Sequence, residues 1–169
     1  MTLQQRIESL WASRSDLAAV MPVEEARATV HEAIDLLDSG AARVAEVVDG
    51  EVVVHQWLKQ AILLLFPLSD MATTELGPYE YRDKIPLKHD YASAGVRVVP
   101  GASARWGAHL APGVVMMPSY VNIGARVGAD TMVDTWATVG SCAQIGERVH
   151  LSGGVRSEEH TSELQSPCN

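Results

Sequence analysis

The chain has 169 residues, with 13 Lys and Arg against 21 Asp and Glu, a formal net charge of −8 and a pI of about 5.1, so neither nucleic acid nor an anionic membrane surface is an expected partner. Aromatic residues make up only 5%, with a single Phe, which suits a narrow interior filled by aliphatic and small side chains. No signal peptide opens the chain, the longest apolar run (61–68) is too short to span a bilayer, and Cys142 and Cys168 make no disulfide framework, so a reducing cytoplasm is the expected compartment.

Leu3, Ile7, Leu10 and Trp11 recur at helical spacing behind Thr2 and Gln5, which read as a capping box. A loop over 15–21 leads to Pro22, placed to start a second helix whose apolar face is Val23, Ala26, Val30, Ala33, Ile34 and Leu37 and whose end is Gly40. Residues 44–48 and 52–55 flank Asp49-Gly50, the commonest two-residue hairpin signal. Residues 56–66 are apolar nearly all round and predict a buried third helix stopped by Pro67. From 68 to 94 periodicity fades, and Gly77, Pro78, Pro86 and several charges mark a long connection.

The stretch 115–151 organises everything else. Counting in sixes from Val115 meets Val121, Val127, Val133, Val139, Ile145 and Leu151, with a mostly small residue two places before each (Gly113, Ser119, Ala125, Thr131, Ala137, Ala143, Val149) and Gly128, Gly140 and Gly146 just after. A period of six fits neither an α-helix nor a hairpin sheet. It fits a parallel β-helix in which each hexad makes one strand and one corner, the aliphatic residue filling the interior and Gly freeing the corner. The solenoid is expected from Gly95 onward, with Arg97, Ser103 and His109 taking the aliphatic places of an irregular first coil capped by the helical unit. Arg156 breaks the pattern. Residues 156–166, RSEEHTSELQS, resemble the translation of a widely used sequencing-library adapter and are read as an assembly scar. The expected organisation is a helical N-terminal domain with a β-hairpin (1–67), a connecting segment (68–94), a partial β-helix (95–155) and a non-native tail (156–169).

The runs LLDSGAARVAE (36–46), HQWLKQAILLLF (55–66), GVRVVP (95–100) and, most specific, MPSYVNIGARVGADTMVDTWATVGSCAQIGERVHLSGGV (117–155) resemble bacterial tetrahydrodipicolinate N-succinyltransferases, hexapeptide-repeat acyltransferases. The resemblance implies an α+β cap followed by a left-handed parallel β-helix, truncated here. It also implies succinyl transfer from succinyl-coenzyme A to the amino group of ring-opened tetrahydrodipicolinate (L-2-amino-6-oxopimelate) in lysine and diaminopimelate biosynthesis, by a cytoplasmic homotrimer with no permanently bound cofactor and no metal. The Arg of GVRVVP and the Asp of VDTWATVG contact substrate in the family; they match Arg97 and Asp134, with Asp134 as the catalytic candidate. The residue types suit that chemistry, because a guanidinium pairs bidentately with carboxylate, and a carboxylate can orient an attacking amine and take its proton. On the residues alone, Arg97 reads as pointing out of an irregular coil and Asp134 as a solvated corner residue. Trp136 and Tyr120 read as packing or intersubunit contacts, with ligand stacking the lesser alternative, Cys142 as a small repeat residue, and His150 as a structural hydrogen-bonder or a contact to a neighbouring subunit. The coenzyme A groove is expected in coils after Val155, so the chain itself is expected to be inactive. The alternatives are another hexapeptide acyltransferase acting on a sugar or different amine, a zinc carbonic anhydrase on the same solenoid, opposed by the spacing of the histidines, and a non-catalytic β-helix.

Overall fold

Thr2 and Gln5 close a reciprocal cap, each side chain bonded to the other's backbone N–H, and α1 (Leu3–Ala12) follows. The computed structural model describes residues 1–157; the remainder of the tail lies outside the described residues. A 3₁₀ turn, Leu17–Ala19, sits in the loop before α2 (Val23–Ser39), which Gly40 ends in the left-handed conformation at φ 79°. The hairpin β1 (Ala45–Val48) and β2 (Glu51–Val54) turns on Asp49 and Gly50, both at positive φ as the tight turn requires. Helix α3 (Gln56–Leu68) runs one residue past Pro67 rather than stopping at it; at the last turn the missing N–H and the rigid ring end the helix without preventing that turn.

The stretch read as a connection holds a second hairpin, β3 (Ala72–Leu76) and β4 (Tyr79–Asp83), joined through Gly77-Pro78. Nearly all its residues are exposed on both faces, so the apolar–polar alternation that betrays a half-buried strand is absent.

Eleven two-residue strands follow and stack into three parallel walls. One wall is β5 (Arg97–Val98), β8 (Val115–Met116), β11 (Met132–Val133) and β14 (His150–Leu151). The second is β6 (Ser103–Ala104), β9 (Tyr120–Val121), β12 (Thr138–Val139) and β15 (Arg156–Ser157). The third is β7 (His109–Leu110), β10 (Arg126–Val127) and β13 (Gln144–Ile145). This is a parallel β-helix of somewhat more than three turns behind a helical cap, consistent with the expected left-handed solenoid.

The register differs from the sixfold count in its first half. The residues facing inward are Val98, Ala104, Leu110 and Met116, then Val121, Val127, Val133 and Val139. Arg97, Ser103, His109 and Val115 therefore face outward, and the first coil is regular rather than irregular. The cause is a corner one residue short between Met116 and Tyr120. Three places before each inward residue the backbone turns left-handed, at Gly95, Gly101, Gly107 and Gly113 and then at Gly124, Asp130, Trp136, Cys142, Arg148 and Gly154. At the corresponding place before Val121 stands Pro118, whose ring fixes φ near −65° and forbids that turn. The glycines expected to free the corners, Gly128, Gly140 and Gly146, are not at positive φ; Gly128 is required for another reason, since a Cβ there would lie 2.6 Å from the Gly146 backbone.

Two cores result. The solenoid bore is lined by the inward column and the small residues two places before it, and each fully buried Val contributes roughly 1.5–3 kcal/mol. Thr131, also fully buried there, donates from Oγ1 to Gly146 O (2.9 Å) and accepts from Val149 N (3.1 Å), so its hydroxyl is satisfied. The cap core joins α1, α2 and α3 with Ile123 and Cys142 from a solenoid corner. At the junction the end of α2 collects donors: Trp106 Nε1 to Asp35 Oδ1 (3.0 Å), Gly107 N to Asp38 Oδ1 (2.8 Å) and Lys88 Nζ to Asp38 Oδ2 (2.7 Å). The Lys88 side chain is only 8% exposed, and cations suit the negative end of a helix.

Candidate functional site

The register correction places Arg97 on the outer face of the first wall. Backbone pairing aligns Arg97, Val115, Met132 and His150 in one outward column. Residues two places on point the same way, because side chains alternate along a strand. Val99, Met117, Asp134 and Ser152 thus form a second outward column, joined across coils by Val99 N to Met116 O, Met117 N to Val133 O and Asp134 N to Leu151 O. Arg97 and Asp134 face out of one wall, two strand spacings or roughly 10 Å apart along the stack. Between them lie half-buried Val115, Met117 and Met132.

The Arg97 guanidinium is exposed and has no hydrogen-bond or ion-pair partner among the described residues, so it is available to an anion. Asp134 is held more closely. Its Oδ1 accepts from Thr135 N at 2.7 Å and its Oδ2 is 3.0 Å from His150 Nε2. These two bonds, the backbone one first, hold its pKa below the usual carboxylate value despite its exposure. Asp134 is therefore a better acceptor and ammonium partner than proton base. The resulting surface is cationic at one end, apolar in the middle and anionic at the other. It suits an extended molecule with a carboxylate and an amine separated by methylene groups.

His150 was legible only as a structural residue or an intersubunit contact. Its contact with Asp134 becomes readable once the coil length is known: it precedes Leu151 as Asp134 follows Val133, one coil on, so they meet diagonally. Trp136 does not pack within the described chain; it is 76% exposed with φ 62°, at the corner just after Asp134 and Thr135. Tyr120 is half-buried and donates to Asn122 Oδ1 at 3.1 Å, with Arg105 reaching the same oxygen (3.4 Å) and Asp83 (2.7 Å). That network lies on the second wall, away from Arg97 and Asp134.

Fold and outward columns define the class: a hexapeptide-repeat β-helix behind a helical cap, with an ionic and apolar strip on one wall. Residues 2–68 match the family described as tetrahydrodipicolinate N-succinyltransferase N-terminal. The chain is 53% identical over 155 residues to the 2,3,4,5-tetrahydropyridine-2,6-dicarboxylate N-succinyltransferase of Acinetobacter baylyi, covering 88% of this chain and 57% of the relative. Proteins of the same name from Idiomarina loihiensis and Caulobacter vibrioides are 54% and 51% identical over 159 and 166 residues, covering 90% of this chain in each case and 58% and 59% of the relatives. The chain is a homologue of the tetrahydrodipicolinate N-succinyltransferases and spans less than two thirds of the length of these relatives.

Proposed function

We propose that the protein carrying this sequence transfers a succinyl group from succinyl-coenzyme A to the amino group of tetrahydrodipicolinate in its ring-opened form, L-2-amino-6-oxopimelate, in lysine and diaminopimelate biosynthesis. The observation that carries this reading is identity of about half over some nine-tenths of the chain to proteins named for that reaction. The outer wall supports it. Arg97 binds a carboxylate of the substrate as a bidentate fork, the methylene chain lies over Val115 and Met132, and Asp134 accepts a hydrogen bond from the amine and directs its lone pair.

The amine nitrogen attacks the thioester carbonyl carbon, the N–C bond forms and the C–S bond breaks. The proton lost by nitrogen is balanced by the one that the departing thiolate gains. The products are N-succinyl-2-amino-6-oxopimelate and free coenzyme A. We place the coenzyme A groove in coils beyond Val155, the working assembly as a homotrimer with sites between neighbouring solenoids, and the enzyme in the cytoplasm. No described helix is long and apolar enough to cross a membrane, in keeping with that last assignment.

The test is thiol release from succinyl-coenzyme A by the full-length protein in the presence of the amino-oxopimelate. Asp134→Asn is expected to lower kcat roughly a hundredfold, since the amide presents a donor where an acceptor is needed. Arg97→Lys is expected chiefly to raise KM for the dicarboxylate, because a point charge replaces a fork. Kinetics of both variants close to wild type would remove this wall from the site.

A further inference from the structure

We propose that His150 is the positioning residue that fixes the orientation of the Asp134 carboxylate toward the substrate amine; this rests on the reading of Asp134 given above. An ionised carboxylate has about four acceptor sites and turns freely about its last bond unless both oxygens are held. Here they are held from different directions. Thr135 N takes Oδ1 at 2.7 Å from within the same corner, and His150 Nε2 lies 3.0 Å from Oδ2 on the next coil. The corner bond alone leaves the second oxygen loose. The imidazole ties it to the parallel pairing of β14 on β11. Met117, the neighbour of Asp134 on the preceding coil, is apolar; Ser152 on the next coil and the Thr135 hydroxyl, which also lowers the Asp134 pKa, are the hydroxyl groups beside the carboxylate.

Exposure separates this role from a structural one. The side chains of His150 and Asp134 are 60% and 31% exposed. Exposed pairs contribute little to stability, so removing the imidazole should leave the fold intact while freeing the carboxylate to rotate. The consequence falls on the attack step.

The experiment is a double-mutant cycle in the full-length protein with His150→Ala, His150→Gln, Asp134→Asn and the Asp134→Asn/His150→Ala double variant. His150→Ala is expected to lower kcat roughly tenfold, the scale of one hydrogen bond to a charged group, with KM for succinyl-coenzyme A and the melting temperature unchanged. His150→Gln, whose amide N–H can still reach Oδ2, is expected to recover most of that loss. In the Asp134→Asn background, His150→Ala is expected to add nothing, because the group it orients is gone. Wild-type turnover in His150→Ala, or losses that multiply in the double variant, would overturn the proposal while leaving Asp134 in place. Wild-type turnover in Asp134→Asn would instead overturn the reading of the site on which it depends.

Discussion

The His109 ring packs against the Cα of Gly40, so closely that a Cβ built on Gly40 would lie 2.5 Å from His109 Cε1. Gly40 also holds φ 79° as the cap of α2. Gly40→Ala therefore meets two penalties, a left-handed backbone that costs about 1–2 kcal/mol for an L-residue and a collision that must push the ring aside. The expected result is a loss of about 2 kcal/mol or more, read as a fall in the urea midpoint. An unchanged midpoint would mean that the cap does not seat on the solenoid as described.

The same imidazole should make stability depend on pH. Burial, and then the nearby Arg126 cation, hold the His109 pKa below its ordinary 6.5, with Lys88 adding to the effect and Asp38 opposing it. Between the folded pKa and 6.5 the unfolded chain binds more protons than the folded one, so stability rises with pH across that window. It is lost as pH falls from about 6.5 and changes no further, from this group, below the folded pKa. Melting curves from pH 7.5 to 5 should show wild type losing more stability than His109→Gln; parallel losses would assign the pH dependence elsewhere.

The five-residue corner is tested by two neighbouring substitutions. Met116 is fully buried in the bore, whereas Val115 faces the outer wall. Met116→Asp is expected to cost several kcal/mol by placing an unpaired carboxylate in a dry interior, and Val115→Asp under about 1 kcal/mol. A reversed order in chemical denaturation would restore the unbroken sixfold count.

Trp136 carries a bulky side chain at φ 62° while 76% exposed, a conformation glycine holds without strain. Trp136→Gly is expected to stabilise the chain by about 0.5–1 kcal/mol, relief of strain outweighing the entropy of glycine in the unfolded state. A lower urea midpoint would show that the indole packs in solution.

Much of the fold is readable from residues wherever local chemistry and burial agree. The capping box of α1, the Gly40 stop, the Asp49-Gly50 turn and the inward Val121, Val127, Val133 and Val139 all follow from rules acting within a few residues. The β3–β4 hairpin escapes because both its faces meet solvent and leave no pattern. The phase of the first coils escapes because aliphatic Val115 sits beside Met116, so either could fill the bore by composition. Arg97 and Asp134 are nominated through resemblance alone, and only the three-dimensional stacking puts them on one wall, with His150 on the coil after Asp134.

The short corner at Pro118 also limits how the solenoid can be taken apart. Strands on either side of it pair as regularly as elsewhere, 97 with 115 and 115 with 132, yet the first step spans eighteen residues and the second seventeen. The stack is thus two runs of equal pitch joined at a seam. Coils drawn from one run can be exchanged or duplicated within that run in blocks of eighteen, but a graft carried across Pro118 by the same count turns its inward side chains to water. Modular design on this scaffold has to be cut at the seam.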